Sequence, residues 1–404
     1  MPGFVASLGA LHEPDFRRLV TGTAISRFGS GLAGVALAFA VLDLTGSAAA
    51  LGLVVGVRSI ANVALLLLGG VLADRLPRGL LLTGSSVLSG VAQLGAAGIV
   101  AARLDLVWVL AALAAVNGAA SAVSQPLATA LVPQTLPADR LQEGNALARM
   151  SGNTTSLIGT AVAGLVVAVA GSAVAVAVDG VSFLLAAAIW AGLRAPAPAR
   201  AERTTLLQDL AAGWHGFRTR RWLWTVVGAF TLSNLCYAGA VLVLGPVHAD
   251  ATIGRPAWGL VQAALPAGLV LGGLVALRLR PRRPLVVAML ATVPFPLTGL
   301  AIGLVPVPAV LVLLVLLAGV GAEVFEVLWE TTMQRRVPAD LLARVSSYDL
   351  LGSYIAIPVG QLAAAPVAAV LGVRTTMVAA GALGAAALLA CLLVRDVRAE
   401  EPAA

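Results

Sequence analysis

Twelve stretches of this sequence stay apolar for about twenty residues, the length that crosses a bilayer as a helix. They cover 20–42, 48–72, 80–101, 106–127, 146–170, 173–193, 223–247, 257–277, 285–304, 307–328, 348–371 and 375–394, each bounded by proline, glycine or charge. Of the 404 residues 59% are hydrophobic and 11% charged, and mean hydropathy is +0.96. A soluble domain carries about 25% charged residues. No water-borne core could bury this much apolar surface, so the surrounding solvent is lipid. Membrane β-barrels show segments of about ten alternating residues, a pattern this sequence lacks. The expected fold class is an all-α integral membrane protein with twelve transmembrane helices.

The charges sort by side of the membrane. All 26 basic residues are Arg, which fits a GC-rich genome better than any chemistry. With the N-terminus inside, the inner loops hold 21 of them; the outer loops hold only Arg103, Arg255 and Arg374. Arg and Lys favour the cytoplasmic side, so both termini are expected in the cytoplasm of a cell that carries the protein in its inner membrane. The net charge of +7 thereby reads as topology, and no nucleic-acid partner is expected. The first twenty residues include His12, Glu13, Asp15, Arg17 and Arg18. They are too polar for a signal-peptide core, so the first helix is expected to be retained.

The expected domains are an N-terminal six-helix bundle (1–193), a cytoplasmic linker (194–221) and a C-terminal six-helix bundle (222–404). The linker opens with Pro196-Ala197-Pro198-Ala199, a stiff composition. Leu206, Leu210, Trp214 and Phe217 follow at helical spacing, with Arg218, Arg220 and Arg221 beside them. Such a pattern suits a helix lying on the membrane face, or else a plain solvated linker.

The two halves repeat. Pro137-Ala138-Asp139 recurs as Pro338-Ala339-Asp340, 201 residues on (338 − 137). At the same offset Gly118, Gly159 and Gly171 meet Gly319, Gly360 and Gly372. Gly70 to Arg75 corresponds to Gly273 to Arg278 at an offset of 203 (273 − 70), with Leu277 in place of Asp74. Two six-helix halves that start on the same side form a parallel repeat.

Between the second and third runs stands Gly70-Val71-Leu72-Ala73-Asp74-Arg75-Leu76-Pro77-Arg78. A small residue lets neighbouring helices approach, and Pro77 prevents one helix from continuing through the loop. This stretch resembles the signature loop of the major facilitator superfamily. It departs at Pro77, where the family usually has Gly, and at Gly79, where a second basic residue is common. The resemblance implies a cytoplasmic gate formed by Gly70, Asp74, Arg75 and Arg78, with the carboxylate near the start of the eleventh helix. Asp15-Phe16-Arg17-Arg18-Leu19 with Ser26-Arg27-Phe28-Gly29, Ala138 to Ala146, Gln334-Arg335-Arg336-Val337-Pro338 and Ala343-Arg344-Val345-Ser346 resemble the enterobactin-exporter-like, drug-efflux-like branch. Two family patterns are incomplete. Ala114 stands before Asn117-Gly118 where many proton-coupled members have Arg, and Gly159-Thr160 stands where antiporters carry Gly-Pro.

No nucleophile elbow, Cys–His pair or phosphate loop with Lys is present, so an enzyme is not expected. Cys236 and Cys391 lie in apolar runs without metal or disulfide spacing, and no cofactor or metal is expected. Charged residues inside a span invite a functional reading. Arg27 lies about two turns into the first span and Arg58 near the middle of the second. Either could meet substrate or a carboxylate; Arg27 equally suits snorkelling to the inner surface. Glu323 and Glu326, on one face of the tenth span, are the candidates for proton coupling, since a carboxylate shielded from water can take up a proton. Glu326 and Glu330 equally suit ion pairs with Arg335 or Arg336. Asn117, Asn153, Asn234, Tyr237 and Gln361 complete a candidate substrate cavity; each equally suits interhelical hydrogen bonding. The expected function is export of a hydrophobic or amphipathic small molecule (drug, siderophore or secondary metabolite), with protons as the coupling ion, by a monomer in the lipid bilayer. A nutrient-uptake carrier on the same fold and a non-transporting membrane scaffold or sensor are the alternatives.

Overall fold

The computed structural model describes residues 8–75, 77–137, 140–193, 214–276 and 278–398. They divide into two compact units, residues 1–201 and 202–404. The first contains α1 (Pro14–Thr45), α2 (Ala48–Arg75), α3 (Arg78–Ala101), α4 (Val107–Thr135), α5 (Leu141–Ala170) and α6 (Ser172–Trp190). The second contains α7 (Arg221–Thr252), α8 (Arg255–Ala276), α9 (Pro284–Leu304) and α10 (Pro308–Arg336). It ends with α11, in two pieces (Ala339–Tyr354 and Ile357–Leu371), and α12 (Val373–Ala390). Among the described residues, twelve helices are long and apolar enough to cross a membrane, and each coincides with one of the twelve apolar runs. The chain is a multi-pass, all-α membrane protein.

Each unit uses one pairing scheme. In the first, α1 packs on α5 and α6, α2 on α4, and α3 on α4 and α6. In the second, α7 packs on α11 and α12, α8 on α10, and α9 on α10 and α12. Lipid supplies no hydrophobic drive between helices, so close backbone approach at small residues matters most. Gly159 of α5 lies directly against the Phe28 carbonyl of α1, and Gly360 of α11 against the Leu235 carbonyl of α7. Gly118 of α4 likewise meets the Arg58 carbonyl of α2, and Gly319 of α10 meets the Leu265 carbonyl of α8. The partner residues are 207 apart in both cases (235 − 28 and 265 − 58). That is four residues, about one helical turn, beyond the 203 of the loop comparison.

The 201-residue offset recurs in backbone detail. The Pro137 carbonyl accepts from the Arg140 N–H at 3.0 Å, and the Pro338 carbonyl accepts from the Leu341 N–H at 3.0 Å. Gly171 ends α5 at φ +87° and Gly372 ends the second piece of α11 at φ +82°. Side chains rarely adopt this conformation, so both positions require glycine. The repeat read from the sequence is therefore built into the backbone.

Proline makes the second unit less regular. In α7 the residues Ala238–Val243 form a π-helical turn just before Gly245-Pro246. Pro246 has no N–H for the carbonyl four residues back, and a wider turn absorbs the mismatch. Inside α9, Val293 precedes Pro294 and Pro296; α11 is interrupted at Ile355-Ala356, just before Pro358. The linker expectation falls mostly on 194–213, outside the described residues. Its described end packs on the second unit: Trp214 and Phe217 stack with centroids 5.9 Å apart, and both contact Tyr348 at 5.6 and 6.1 Å.

Candidate functional site

The second unit contains a half-open cavity of about 180 Å³. Four helices line it. α7 contributes Val226, Val227, Phe230 and Asn234, and α9 contributes Thr292 and Phe295. α10 contributes Ala322, Phe325, Glu326 and Trp329; α11 contributes Asp349, Leu350, Ser353 and Tyr354. The broken stretches of α9 and α11 lie beside this lining. Small-molecule sites have this character: concave, mostly apolar, with a few placed polar groups.

Aromatic rings stack along the walls. Phe230 and Phe325 stack at 4.1 Å with planes 27° apart. Phe295 stacks on Tyr237 at 4.2 Å, and Phe325 on Trp329 at 5.8 Å. Trp329 meets Trp222 edge-on at 5.5 Å, and the Arg336 guanidinium sits 5.6 Å over the Trp222 ring. Two carboxylates enter the lining. The Trp329 indole N–H donates to Asp349 Oδ2 at 2.9 Å, fixing that carboxylate. Glu326 and Asp349 both act electrostatically on Tyr354. Asn234 donates through its amide to the Ser353 carbonyl at 2.9 Å, tying α7 to α11 at the cavity edge.

The polar groups of the first unit are placed differently. Arg58 Nε donates to Asn117 Oδ1 at 3.0 Å, joining α2 to α4. Asp179 of α6 is buried, and its Oδ2 accepts from Gln93 of α3 at 2.5 Å. Ser30 and Ser182 lie beside the same carboxylate, and its Oδ1 faces Gly29 of α1, where a Cβ would stand 2.8 Å away. Arg58 and Asp179 act on each other electrostatically.

The predicted site residues therefore separate. Asn234 and Glu326 line the cavity, and Tyr237 supports its wall through Phe295. Glu323, expected on the same face as Glu326, runs instead against α8: a Cβ at Gly272 would stand 2.7 Å from Glu323 Cβ. Gln361 is buried beside Gly360 on α11, and its Oε1 has no hydrogen-bond partner among the described residues. Arg27 lies beside Gly152 of α5, and Asn153 is exposed. Arg78 begins α3, and its Nε is buried without a hydrogen-bond partner among the described residues. Gly70, Asp74 and Arg75 fall in the last turns of α2; their surroundings lie outside the described residues.

Asp179 and Asp349 escaped the sequence reading. Asp179 is the single acidic residue of 172–190, which was a sufficient signal. Asp349 sits next to Tyr348, at the predicted start of a span, where a carboxylate reads as a membrane-edge group. No group of three or more His, Cys, Asp or Glu placed to hold a metal occurs among the described residues.

The sequence profile described as Major Facilitator Superfamily matches residues 19–360. Enterobactin exporters EntS of Shigella boydii and Escherichia coli are 26% identical over 338 residues, 83% of this chain and 80% of theirs. The nucleoside transporter NupG superposes with TM-score 0.76 at 13% identity, covering 94% of this chain and 98% of that one. A bacterial homologue of the human lysosomal transporter Spinster superposes with TM-score 0.75 at 14% identity, covering 97% of this chain and 100% of that one.

Proposed function

Because the chain belongs to the major facilitator superfamily, we propose that it exports a hydrophobic or amphipathic small molecule across the cytoplasmic membrane by alternating access, with protons moving inward in exchange. One observation carries the direction: the similarity to enterobactin exporters runs along 83% of this chain and 80% of theirs. The cavity in the second unit supports a small organic solute, because aromatic walls and few polar groups suit partial burial of an apolar ligand.

In this reading Glu326 serves substrate and proton at the cavity, and Glu323, against α8, serves the proton alone. Asp74, Arg75 and Arg78 act as the cytoplasmic gate, with Gly70 allowing the close approach. Arg58 and Asn117 hold α2 to α4, and Gln361 offers an open acceptor on α11. Both termini face the cytoplasm, and the working unit is a monomer. Asp74→Asn is expected to lower turnover more than substrate binding; an unchanged rate counts against the gate.

Everted and right-side-out vesicles separate export from uptake. A proton-exchanging exporter fills everted vesicles when their lumen is acid. Filling of right-side-out vesicles alone would make the chain an uptake carrier. Glu323→Gln should abolish the dependence on the pH difference; if gradient-driven transport persists in that variant, Glu323 carries no proton.

A further inference from the structure

We infer that the cavity between α7, α9, α10 and α11 selects an organic cation about one aromatic ring in size, or the cationic end of a larger molecule. The inference rests on the carrier reading for its physiological meaning but concerns binding alone. Three features of the cavity converge on it.

The first is charge. Glu326 and Asp349 are the ionisable carboxyl side chains of the lining, and the described lining holds no Arg and no His. The second is the wall. Phe230, Phe295, Phe325, Trp329 and Tyr354 surround the space, and ring faces attract a cation, most strongly when it is desolvated. The Phe230–Phe325 stack, at 4.1 Å, presents a fixed surface, so little ordering remains for binding to impose. The third is size. An apolar cavity of about 150 Å³ holds benzene, so the half-open space of about 180 Å³ takes one ring, with an attached ammonium group reaching its mouth.

The hydrogen bonds point the same way. Asp349 Oδ2 is already engaged by the Trp329 indole. That bond orients the carboxylate and leaves acceptor capacity for a cation. The nearby amide of Asn234 spends one of its two N–H groups on the Ser353 carbonyl. An anionic catechol or carboxylate would meet two like charges. A neutral ring would gain the walls and forgo the carboxylates.

The test uses the full chain in detergent and three probes of one shape: benzyltrimethylammonium, its neutral carbon analogue neopentylbenzene, and the anion phenylmethanesulfonate. Binding is read by calorimetry at fixed ionic strength. The cation should bind about tenfold or more tightly than either analogue, the scale of a lost close charge pair. Glu326→Gln with Asp349→Asn should erase that preference, while Asp250→Asn, which removes a carboxylate paired with Arg255 outside the cavity, should keep it. Asn retains an acceptor for the Trp329 N–H, and the unfolding temperature of each variant shows that it is folded. Equal binding of the three probes, tighter binding of the anion, a preference that survives the double substitution, or no binding of any probe would each overturn the inference. Filling of everted vesicles by another class of solute would keep the export proposal intact while this inference fails.

Discussion

The two six-helix units share a backbone plan and use their polar side chains in opposite ways. In the first, Arg58 is bonded to Asn117 and Asp179 to Gln93, so polar groups tie helix to helix. In the second, Glu326 and Asp349 face a cavity walled by aromatic rings. The glycine contacts and the positive-φ helix ends are the same in both. Duplicated architecture thus fixes where helices cross, and the side chains between the crossings decide what the polar groups of each half touch.

That comparison can be broken at several levels. The largest effects belong to the shared frame. Gly159→Leu and Gly360→Leu would each drive a side chain into a carbonyl of the facing helix. Each should cost about 3 kcal/mol, the upper end for overpacking, read as a lowered unfolding temperature in detergent. A harmless substitution in one half alone would show that the repeat is only nominal there. Gly171→Ala and Gly372→Ala test the helix ends. Both sit at positive φ, and each should cost about 2 kcal/mol, with the two values alike.

Smaller effects separate the units. Asp179→Leu leaves Gln93 without its buried partner and should cost about 1.5 kcal/mol. Asp349→Asn keeps the Trp329 bond and should leave the unfolding temperature close to that of the unaltered chain while impairing transport. If Asp179→Leu proves neutral for stability and Asp349→Asn unfolds the protein, the assigned roles are reversed. The smallest effect belongs to Asn234→Ala, which removes one interhelical bond worth about 0.6 kcal/mol.

Much of this frame was legible in the residues. Span length and apolarity are local properties, so the twelve helices could be read directly. The repeat was legible because backbone constraints leave residue signatures: Gly171 and Gly372 are glycine for one conformational reason, and Pro137 and Pro338 each open the same turn. The cavity was not legible. Phe230, Phe325 and Trp329 read as ordinary apolar residues within their own helices, and their meeting depends on how three-dimensional packing aligns α7 with α10. Glu323 and Glu326 share a helix face by spacing, yet their neighbours differ because α8 presents glycines to one and the cavity opens beside the other. The bond between Arg58 and Asn117 was not legible either, because the two residues lie on different helices.

The most direct measurement is proton-driven filling of everted vesicles with radiolabelled benzyltrimethylammonium, a permanent cation that acid trapping cannot accumulate. The account predicts accumulation against an acid lumen with the unaltered chain, lost when the pH difference is collapsed and lost in the Glu326→Gln, Asp349→Asn double variant. Equal accumulation with and without the two carboxylates, or filling of right-side-out vesicles only, would contradict it.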